Sequence, residues 1–490
     1  MTAEGNVRRL SASGAGIGLP YDRRAVTPGI VHLGVGAFQR AHLAVYTDDT
    51  LKMDPSWGIV GASLRRPDTR AALQPQDFLY TVAIRDGDAS QMRIVGALLD
   101  VLDATTQRDA LLAAMVDPRI RIITLTVTEK GYCHDPATGW LDPDHPDIRH
   151  DLANPAAPIS VPGLLVRALE LRRARGAAPI AILCCDNLPA NGETTARVVT
   201  GFAALRDSDL ARYIAVAIAF PSTMVDRIVP ATTDLDRLEV SRQTGFDDAW
   251  PVVTEPFSQW VIEDRFPAGR PAWESAGAQM VADVRPFELM KLRMLNGSHS
   301  ILAYLGYLSG HAHVAEAVAN PQLRQLIHGF MTEEVMPTLP PCLGDLAAYR
   351  DLLLQRFGNS ALKHRTWQIA MDGSQKLPQR LLSTIRARLA AGLSAQRAIL
   401  GVAAWLRYAT GLDENGNVID VRDPLAARLK TALSASAASD ALDRVLAMHD
   451  VFGTDLPNHA GFRAEIERQY ISLLQEGALA TVRRLLERCA

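Results

Sequence analysis

Apolar and polar residues follow different patterns in the two halves of the chain. In the first half, short runs of Val, Ile, Leu and Ala alternate with amphipathic segments. Continuous apolar strands separated by helices are typical of a doubly wound parallel sheet, covered by helices on both faces. These runs are residues 29–36, 57–64, 120–127, 179–185 and 215–221.

The second pattern begins at about residue 286 and is helical, with few strand-like runs. Residues 286–308, 343–357 and 395–410 show it most clearly. We therefore predict an α/β domain over residues 28–285 and a mainly α-helical domain over residues 286–490. Residues 1–27 are rich in Ser, Gly and Ala, and we predict that they form a mobile leader.

Composition and charge exclude several classes of protein. Apolar residues make up 48% of the chain, charged residues 21%, and the net charge is -3. Without a basic excess or a polybasic block, neither nucleic acid nor a membrane surface is an expected partner. No apolar run approaches the about 18 residues of a membrane-spanning helix, and Arg8 and Arg9 are not followed by the apolar region of a signal peptide. We expect a cytoplasmic protein.

The five cysteines are odd in number and contain no CxxC pair, which fits a reducing compartment. Cys133 and His134 are adjacent rather than spaced as chelating ligands usually are. The sequence therefore predicts no metal site.

A glycine-rich turn follows the first predicted strand of the sheet. Gly34 and Gly36 allow a tight turn between strand and helix, and they let the backbone approach a pyrophosphate at the helix amino terminus. Gln39 stands where the usual third glycine would be. A turn without a ligand could carry the same two glycines, but its place in the first βα unit favours a Rossmann-type dinucleotide site that also includes Ala37 and Phe38.

The end of the second strand bears on which dinucleotide binds. An acidic residue there would accept hydrogen bonds from the adenosine ribose of NAD, and Asp68 is the candidate. Arg66 would instead suit the 2'-phosphate of NADP. We predict NAD and leave NADP open.

Polar residues also follow later strands of the sheet. Asp186 and Asn187 come after the apolar run 179–185, and Asp226 comes shortly after the run 215–221. Ligands of open α/β sheets bind at the carboxyl ends of the strands. Asp and Asn are equally common in turns and helix caps, which we favour for Asp186 and leave open for Asn187 and Asp226.

The stretch KLRMLNGSHS at residues 291–300 places polar residues in an apolar helical segment. On an ideal α-helix, Asn296 lies about 140° from Lys291 and His299 about 80° from it, so the three side chains can face one cleft. Gly297 in a helix interior costs about 1 kcal/mol relative to alanine, which suggests close approach of another backbone or a ligand. The alternative is an amphipathic helix with solvated Lys and Asn.

These residues suit metal-independent hydride transfer. An alcohol that loses a hydride must also lose a proton, so a general base and oxyanion donors are needed. Lys291 is the candidate acid/base, because apolar neighbours would lower the pKa of its ammonium group. Asn187 and Asn296 are the candidate oxyanion donors, and His299 would orient the substrate.

Several motifs resemble the mannitol dehydrogenase family of polyol-specific long-chain dehydrogenases. They are GIVHLGVGAFQRAH, TVTEKGY, CDNLPANG, TMVDRIVP and the Lys-x-x-x-x-Asn-x-x-His pattern of Lys291, Asn296 and His299, in order over residues 28–425. The resemblance implies a Rossmann-type domain, a helical domain, and a zinc-independent site between them. It further implies substrate binding by Asp226 and His299, an NAD site at Gly34, Gly36, Ala37 and Phe38, and a proton path at Glu288. Arg66 and Gln368 depart from the family pattern.

Within this family, residues 290–308, residues 364–382 and the motif TVTEKGY are most similar to the D-mannonate oxidoreductase (fructuronate reductase) branch. A uronate carries a carboxylate, which favours Arg or Lys as a partner. Lys376, Arg365 and Arg380 are the candidates, and the alternative is that they are surface charges.

Two alternative functions remain at this point. The first is a mannitol or arabinitol 2-dehydrogenase, which would act on a polyol instead of a sugar acid. The second is a non-catalytic nucleotide-binding sensor, which predicts loss of at least one of Lys291, Asn296, His299 or Asn187, yet all four are present. We expect a monomer or a small homo-oligomer.

Overall fold

The computed structural model describes residues 8–12, 17–135, 138–435 and 437–489. The chain forms two compact units, Met1–Arg285 and Pro286–Ala490. Among the described residues, helices that combine the length and the apolar character needed to cross a membrane are absent.

Unit 1 is built on a parallel sheet of five strands, as the apolar runs predicted. The strand order is β6-β3-β2-β7-β8, so β2 lies at the centre. Ile30 of β2 pairs with Ile59 of β3 and with Ile122 of β7. The strands are β2 (Pro28–Leu33), β3 (Gly58–Ser63), β6 (Leu98–Asp103), β7 (Ile122–Leu125) and β8 (Ala181–Cys184).

Helices pack on both faces of this sheet. Successive side chains of a strand point to opposite faces, and accordingly Ile30 and Val31 belong to two different apolar clusters. The cluster of Val31 includes Leu164 and Leu169 of α6, and the cluster of Ile30 includes Tyr46 of α2. The helices are α1 (Ala37–Ala41), α2 (Leu43–Thr50), α3 (Asp68–Leu73), α4 (Arg108–Val116), α5 (Pro146–Ala153), α6 (Val161–Ala174), α7 (Asn191–Ala204), α8 (Ser208–Ala217) and α9 (Asp234–Thr244).

Smaller sheets complete unit 1. Their orders are β11-β4-β5, β13-β12-β9 and β1-β10. The strands are β1 (Arg8–Arg9), β4 (Tyr80–Asp86), β5 (Ala89–Val95), β9 (Thr223–Asp226), β10 (Phe246–Asp247), β11 (Val252–Thr254), β12 (Gln259–Glu263) and β13 (Gln279–Val281).

Part of the segment predicted as a mobile leader contacts the rest of unit 1. Strand β1 pairs in parallel with β10, and the fully buried Leu10 donates its N–H to the carbonyl of Asp247 at 3.0 Å. The hydroxyl of Tyr21 donates to the carboxylate of Asp48 at 2.5 Å. The Ser and Gly content predicts mobility, and these contacts are the attachments that the structure shows for the described part of the segment. Residues 1–7 and 13–16 lie outside the described residues.

Unit 2 is mainly helical, as predicted. Its described residues include isolated β-bridges, such as His313 with Arg365, but no longer strand. The helices are α10 (Arg285–Met290), α11 (Gly297–Leu308), α12 (Val314–Ala319), α13 (Pro321–Gly329), α14 (Leu346–Phe357), α15 (Thr366–Ala370), α16 (Gly373–Leu377), α17 (Ser383–Ala390), α18 (Gln396–Ala409), α19 (Ala426–Leu433), α20 (Ala438–Leu446), α21 (His449–Phe452), α22 (Asp455–Asn458), α23 (Ala460–Glu476) and α24 (Ala478–Cys489).

Three segments of unit 2 are wider π-helical turns. They are π1 (Lys291–Asn296), π2 (Phe330–Val335) and π3 (Pro378–Leu382). Turn π1 contacts both π2 and π3. Helix α11 continues directly from π1 and is almost entirely buried, so it forms the centre of this unit.

Candidate active site

The glycine-rich turn follows β2 at the carboxyl edge of the sheet. Gly34 has φ of 95°, and a Cβ at this position would lie 2.1 Å from the carbonyl oxygen of Thr126. Only glycine meets both conditions. The buried imidazole of His32 supports the turn, because one ring nitrogen lies 3.2 Å from the Gly34 carbonyl and the other 2.8 Å from the hydroxyl of Thr124 on β7. Sequence analysis missed His32, since one histidine in an apolar strand gives no signal of this kind.

Gly36 occupies the N-cap of α1, next to Ala37 and Phe38. A Cβ here would find no atom nearer than 3.9 Å, so the space beside this backbone is open. A pyrophosphate needs such a space, and the residues of the turn therefore fit a dinucleotide. Gln39 is fully buried, and its amide lacks a hydrogen-bond partner among the described residues.

The end of β3 lies at the same edge of the sheet as the glycine turn. Arg65 lines a cleft of about 210 Å³ together with Gly34 and Thr126. Arg66 and Asp68 are both exposed, and Asp68 is the first residue of α3. Two arginines and one carboxylate thus follow β3. These residues are compatible with either cofactor, so NADP stays open beside the predicted NAD.

Asp186 has a structural role, as the sequence favoured. Its carboxylate accepts hydrogen bonds from the backbone N–H groups of Val127 and Thr128, at 2.9 and 3.0 Å, and from the hydroxyl of Tyr132 at 2.8 Å. These bonds join the ends of β7 and β8. The next residue, Asn187, is exposed at the end of the sheet.

Asn191 is a buried residue that sequence analysis overlooked. Its side-chain amide donates to the carbonyl oxygens of Asp186 and Thr223, at 3.1 and 2.9 Å, and accepts from the N–H of Thr223 at 2.9 Å. It therefore holds the loop after β8 against the start of β9, which carries Asp226 as its last residue. Asp226 is 4% exposed. The only signal in the sequence was the position of Asn191 inside the motif CDNLPANG.

In unit 2, the segment of Lys291 and Asn296 differs from the predicted α-helix. The two residues are the first and last of π1. Because π-helical bonding joins residues five apart, these two positions lie about one turn apart on the same face. The expected separation of about 140° is therefore wrong, and the prediction of a common face is strengthened. Lys291 is 8% exposed and His299 is 7% exposed.

Gly297 is required by close packing. A Cβ at this position would lie 3.1 Å from the Arg380 carbonyl oxygen in π3 and 3.1 Å from the Phe330 ring in π2. The cost of a glycine inside a helix suggested that another backbone or a ligand approaches Gly297 closely. In the structure, the groups that approach it belong to π2 and π3 of unit 2. The absence of a side chain at Gly297 therefore lets this segment pack closely against π2 and π3.

The His299 imidazole is buried among aromatic rings and cations. Its ring centroid lies 4.7 Å from that of Phe357 and 5.5 Å from that of His364. The Nε2 atom of His299 is buried without a hydrogen-bond partner among the described residues, which is uncommon for a structural histidine. Burial lowers the pKa of His299 well below its usual range, and His364, Arg380, Arg356 and Lys291 lower it further. The imidazole is therefore neutral and available to a ligand.

The predicted carboxylate partners have different surroundings. Arg380 lies near His299 and donates to the hydroxyl of Ser300 at 3.3 Å. Lys376 donates to the carbonyl of Met371 at 2.6 Å, and Arg365 is exposed at the N-cap of α15. Of the three candidates, Arg380 is the one that the structure places beside His299.

The remaining candidates lie on helices of unit 2. Glu288 is half-buried on α10, three residues before Lys291. Gln368, which differs from the family pattern, is exposed on α15. Arg356 and His364 were not predicted, because no local pattern connects α14 and the segment before α15 with His299.

The fold combines a Rossmann-type parallel-sheet domain with a helical domain, as in a class of oxidoreductases. Residues 28–275 match the mannitol dehydrogenase Rossmann domain, and residues 283–474 match the mannitol dehydrogenase C-terminal domain. The chain belongs to the mannitol dehydrogenase family and is an oxidoreductase of that family, acting on CH–OH groups.

Three similar proteins place the chain within the family. An uncharacterized oxidoreductase of Escherichia coli is 48% identical over 94% of each chain. The D-mannonate oxidoreductase of Escherichia coli is 46% identical, over 95% of this chain and 97% of the relative. The structure of Pseudomonas fluorescens mannitol 2-dehydrogenase, a ternary complex with NAD and D-mannitol, is 40% identical with a TM-score of 0.87, covering 99% of this chain and 97% of the other.

Proposed function

We propose that the protein interconverts D-fructuronate and D-mannonate with NAD as the hydride carrier and without a metal. A bound nicotinamide would supply the hydride acceptor or donor. Gly34, Gly36, Ala37 and Phe38 would hold the pyrophosphate side of the cofactor, and Asp68 the adenosine ribose. The proposed location is the cytoplasm.

Lys291 is the proposed acid/base of the reaction. It would take the hydroxyl proton as mannonate is oxidised and return it as fructuronate is reduced. The amides of Asn187 and Asn296 would donate hydrogen bonds to the oxygen as negative charge develops there. Glu288 would pass the proton between Lys291 and solvent.

The remaining candidates would hold the substrate. Neutral His299 would hydrogen-bond a substrate hydroxyl, and Asp226 would accept from another. Arg380 would pair with the substrate carboxylate. Lys376 and Arg365 are the other candidate partners that the sequence predicts.

The positive charges near His299 support a sugar acid as the substrate. Arg380, Arg356 and Lys291 all act on the His299 imidazole, and a substrate carboxylate would offset these positive charges in a buried setting. A neutral polyol would not. The relative that acts on D-mannonate, at 46% identity, supports the same choice.

The alternative is a mannitol or arabinitol 2-dehydrogenase. It is favoured by the similarity to the mannitol 2-dehydrogenase complex, at 40% identity over almost the whole chain. Initial rates of NADH and NADPH oxidation with D-fructuronate, D-fructose and D-ribulose decide between the two. We expect the highest kcat/KM with D-fructuronate and NADH, and a preference for a ketose would instead establish the alternative.

Arg380→Met is expected to impair binding of the sugar acid selectively. The KM for D-fructuronate should rise at least about tenfold, since a charged hydrogen bond is worth about 1.5–3 kcal/mol. The KM for D-fructose, measured at high concentration, should change little because it has no carboxylate. Steady-state kinetics with both substrates measure this difference.

Arg365→Met and Lys376→Met are the matched comparisons for Arg380→Met. If one of them, and not Arg380→Met, raises the KM for D-fructuronate alone, the carboxylate partner is that residue. Equal losses with both substrates would contradict a carboxylate role for Arg380.

A further inference from the structure

Three potential metal ligands of unit 1 lie close together, outside the residues assigned to hydride transfer. They are Cys133, His145 and Asp147, and one ligand atom of each lies within 4.8 Å of the other two. Cys133 ends the short 3-10 turn Glu129–Tyr132, while His145 is the N-cap of α5. Thiolate, imidazole and carboxylate are the ligand types that zinc uses in proteins.

Main-chain contacts hold the two segments in register. His134 and Leu141 form an isolated antiparallel bridge, and the N–H of Asp142 donates to the carbonyl of Cys133 at 2.9 Å. Cys133 has a left-handed backbone, with φ of 50°. The backbone therefore sets the positions of the thiol and of the start of α5.

The distances require a small adjustment on binding. Ligand atoms of a tetrahedral zinc site lie about 3.5 Å apart, given bonds of about 2.0–2.3 Å. Side-chain movements of about 1 Å would meet this requirement. The Nδ1 atom of His145 accepts from the N–H of Asp147 at 3.2 Å, and coordination through that nitrogen would replace this weak bond.

Carboxylates dominate the charges around the Cys133 thiol. Asp147, Asp151 and Asp142 all act electrostatically on this thiol, while Arg65 acts in the opposite direction. A divalent cation would compensate these negative charges.

The cluster also borders the cofactor cleft. Cys133 and Asp147 line the same cleft of about 210 Å³ as Gly34 and Arg65. A cation held there would occupy part of the space beside the glycine turn.

We propose that Cys133, His145 and Asp147 bind one divalent cation of the Zn²⁺ or Cd²⁺ type, and that the bound cation opposes dinucleotide binding. The cation takes no part in hydride transfer, so the site is inhibitory. Cation binding is independent of the proposed function, whereas the opposition to the dinucleotide rests on it.

Cadmium titration of the purified, chelator-treated full-length protein tests the site. We expect about one Cd²⁺ per chain, with the ultraviolet charge-transfer band of a cadmium–thiolate bond. Cys133→Ser should abolish the band, and Asp147→Asn should weaken binding at least about tenfold while keeping it. Cys342→Ser is the matched control, because Cys342 is exposed in unit 2. A band that persists in Cys133→Ser would overturn the site, as would no band in the wild type.

Fluorescence titration with NADH tests the opposition separately. Saturating Zn²⁺ should raise the apparent Kd of NADH at least about tenfold in the wild type and in Cys342→Ser, but not in Cys133→Ser. An unchanged Kd together with Cys133-dependent cadmium binding would overturn the opposition alone. Absence of NADH binding without any metal would contradict the proposed function, leaving the cadmium result to stand by itself. Circular dichroism of each variant verifies folding.

Discussion

Replacing Lys291 with alanine is expected to lower kcat by about a thousandfold, which corresponds to about 4 kcal/mol of transition-state stabilisation. Lys291 is buried at the first position of π1, and we propose it as the proton donor and acceptor. The proposed cofactor contacts lie in unit 1, so the Kd of NADH should change less than about threefold. Single-turnover kinetics and NADH fluorescence measure the two effects.

Lys430→Ala provides the control for the lysine substitution. Lys430 is an exposed lysine on α19 of the same unit, and its loss should leave kcat unchanged. A Lys291→Ala variant with near wild-type turnover would rule out the proposed acid/base. A variant that loses NADH affinity and turnover together would point to a structural role for Lys291.

Replacing Gly36 with valine is expected to remove dinucleotide binding while the protein stays folded. A Cβ at Gly36 meets no atom within 3.9 Å, so the substitution fits the protein but fills the space proposed for the pyrophosphate. The Kd of NADH should rise at least about tenfold, equivalent to about 1.4 kcal/mol. The thermal midpoint, followed by circular dichroism, should shift by only a few degrees.

Substitutions of two other glycines serve as controls for Gly36→Val. Gly34→Ala should lower the thermal midpoint strongly, because its Cβ would collide with the Thr126 carbonyl and its φ of 95° disfavours any side chain. Gly18→Ala, at a position with open space, should alter neither property. If Gly36→Val binds NADH normally, the pyrophosphate lies elsewhere.

The parallel sheet and the glycine turn could be predicted from sequence because their signals are local. Runs such as residues 29–36 are apolar apart from His32, and Gly34 and Gly36 follow directly after the end of β2. Gln39 stands at the position of the usual third glycine. Its side chain is buried in α1, a helix of five residues that ends at Ala41.

The surroundings of His299 could not be predicted because they depend on contacts between distant segments. Arg356 and Phe357 come from α14 and His364 from the segment before α15, and neither segment carries a pattern that refers to His299. The π-turn itself also leaves no sequence signal, since its residues are equally good α-helix formers. The attachment of Leu10 could not be predicted for a similar reason: its partner, strand β10, begins at residue 246, and composition does not reveal that pairing.

The π-turn between Lys291 and Asn296 makes the site sensitive to chain length as well as to residue type. A π-turn accommodates one residue more than the α-helical turn that it interrupts. Deleting a single residue between Lys291 and Asn296 would restore a regular α-helix with Lys291 seven positions before His299, about 20° away from it, so the common face would remain. Inserting one residue would instead turn the two side chains about 100° further apart. Chains that keep every polar residue but are one position longer in this segment should therefore lack the common face.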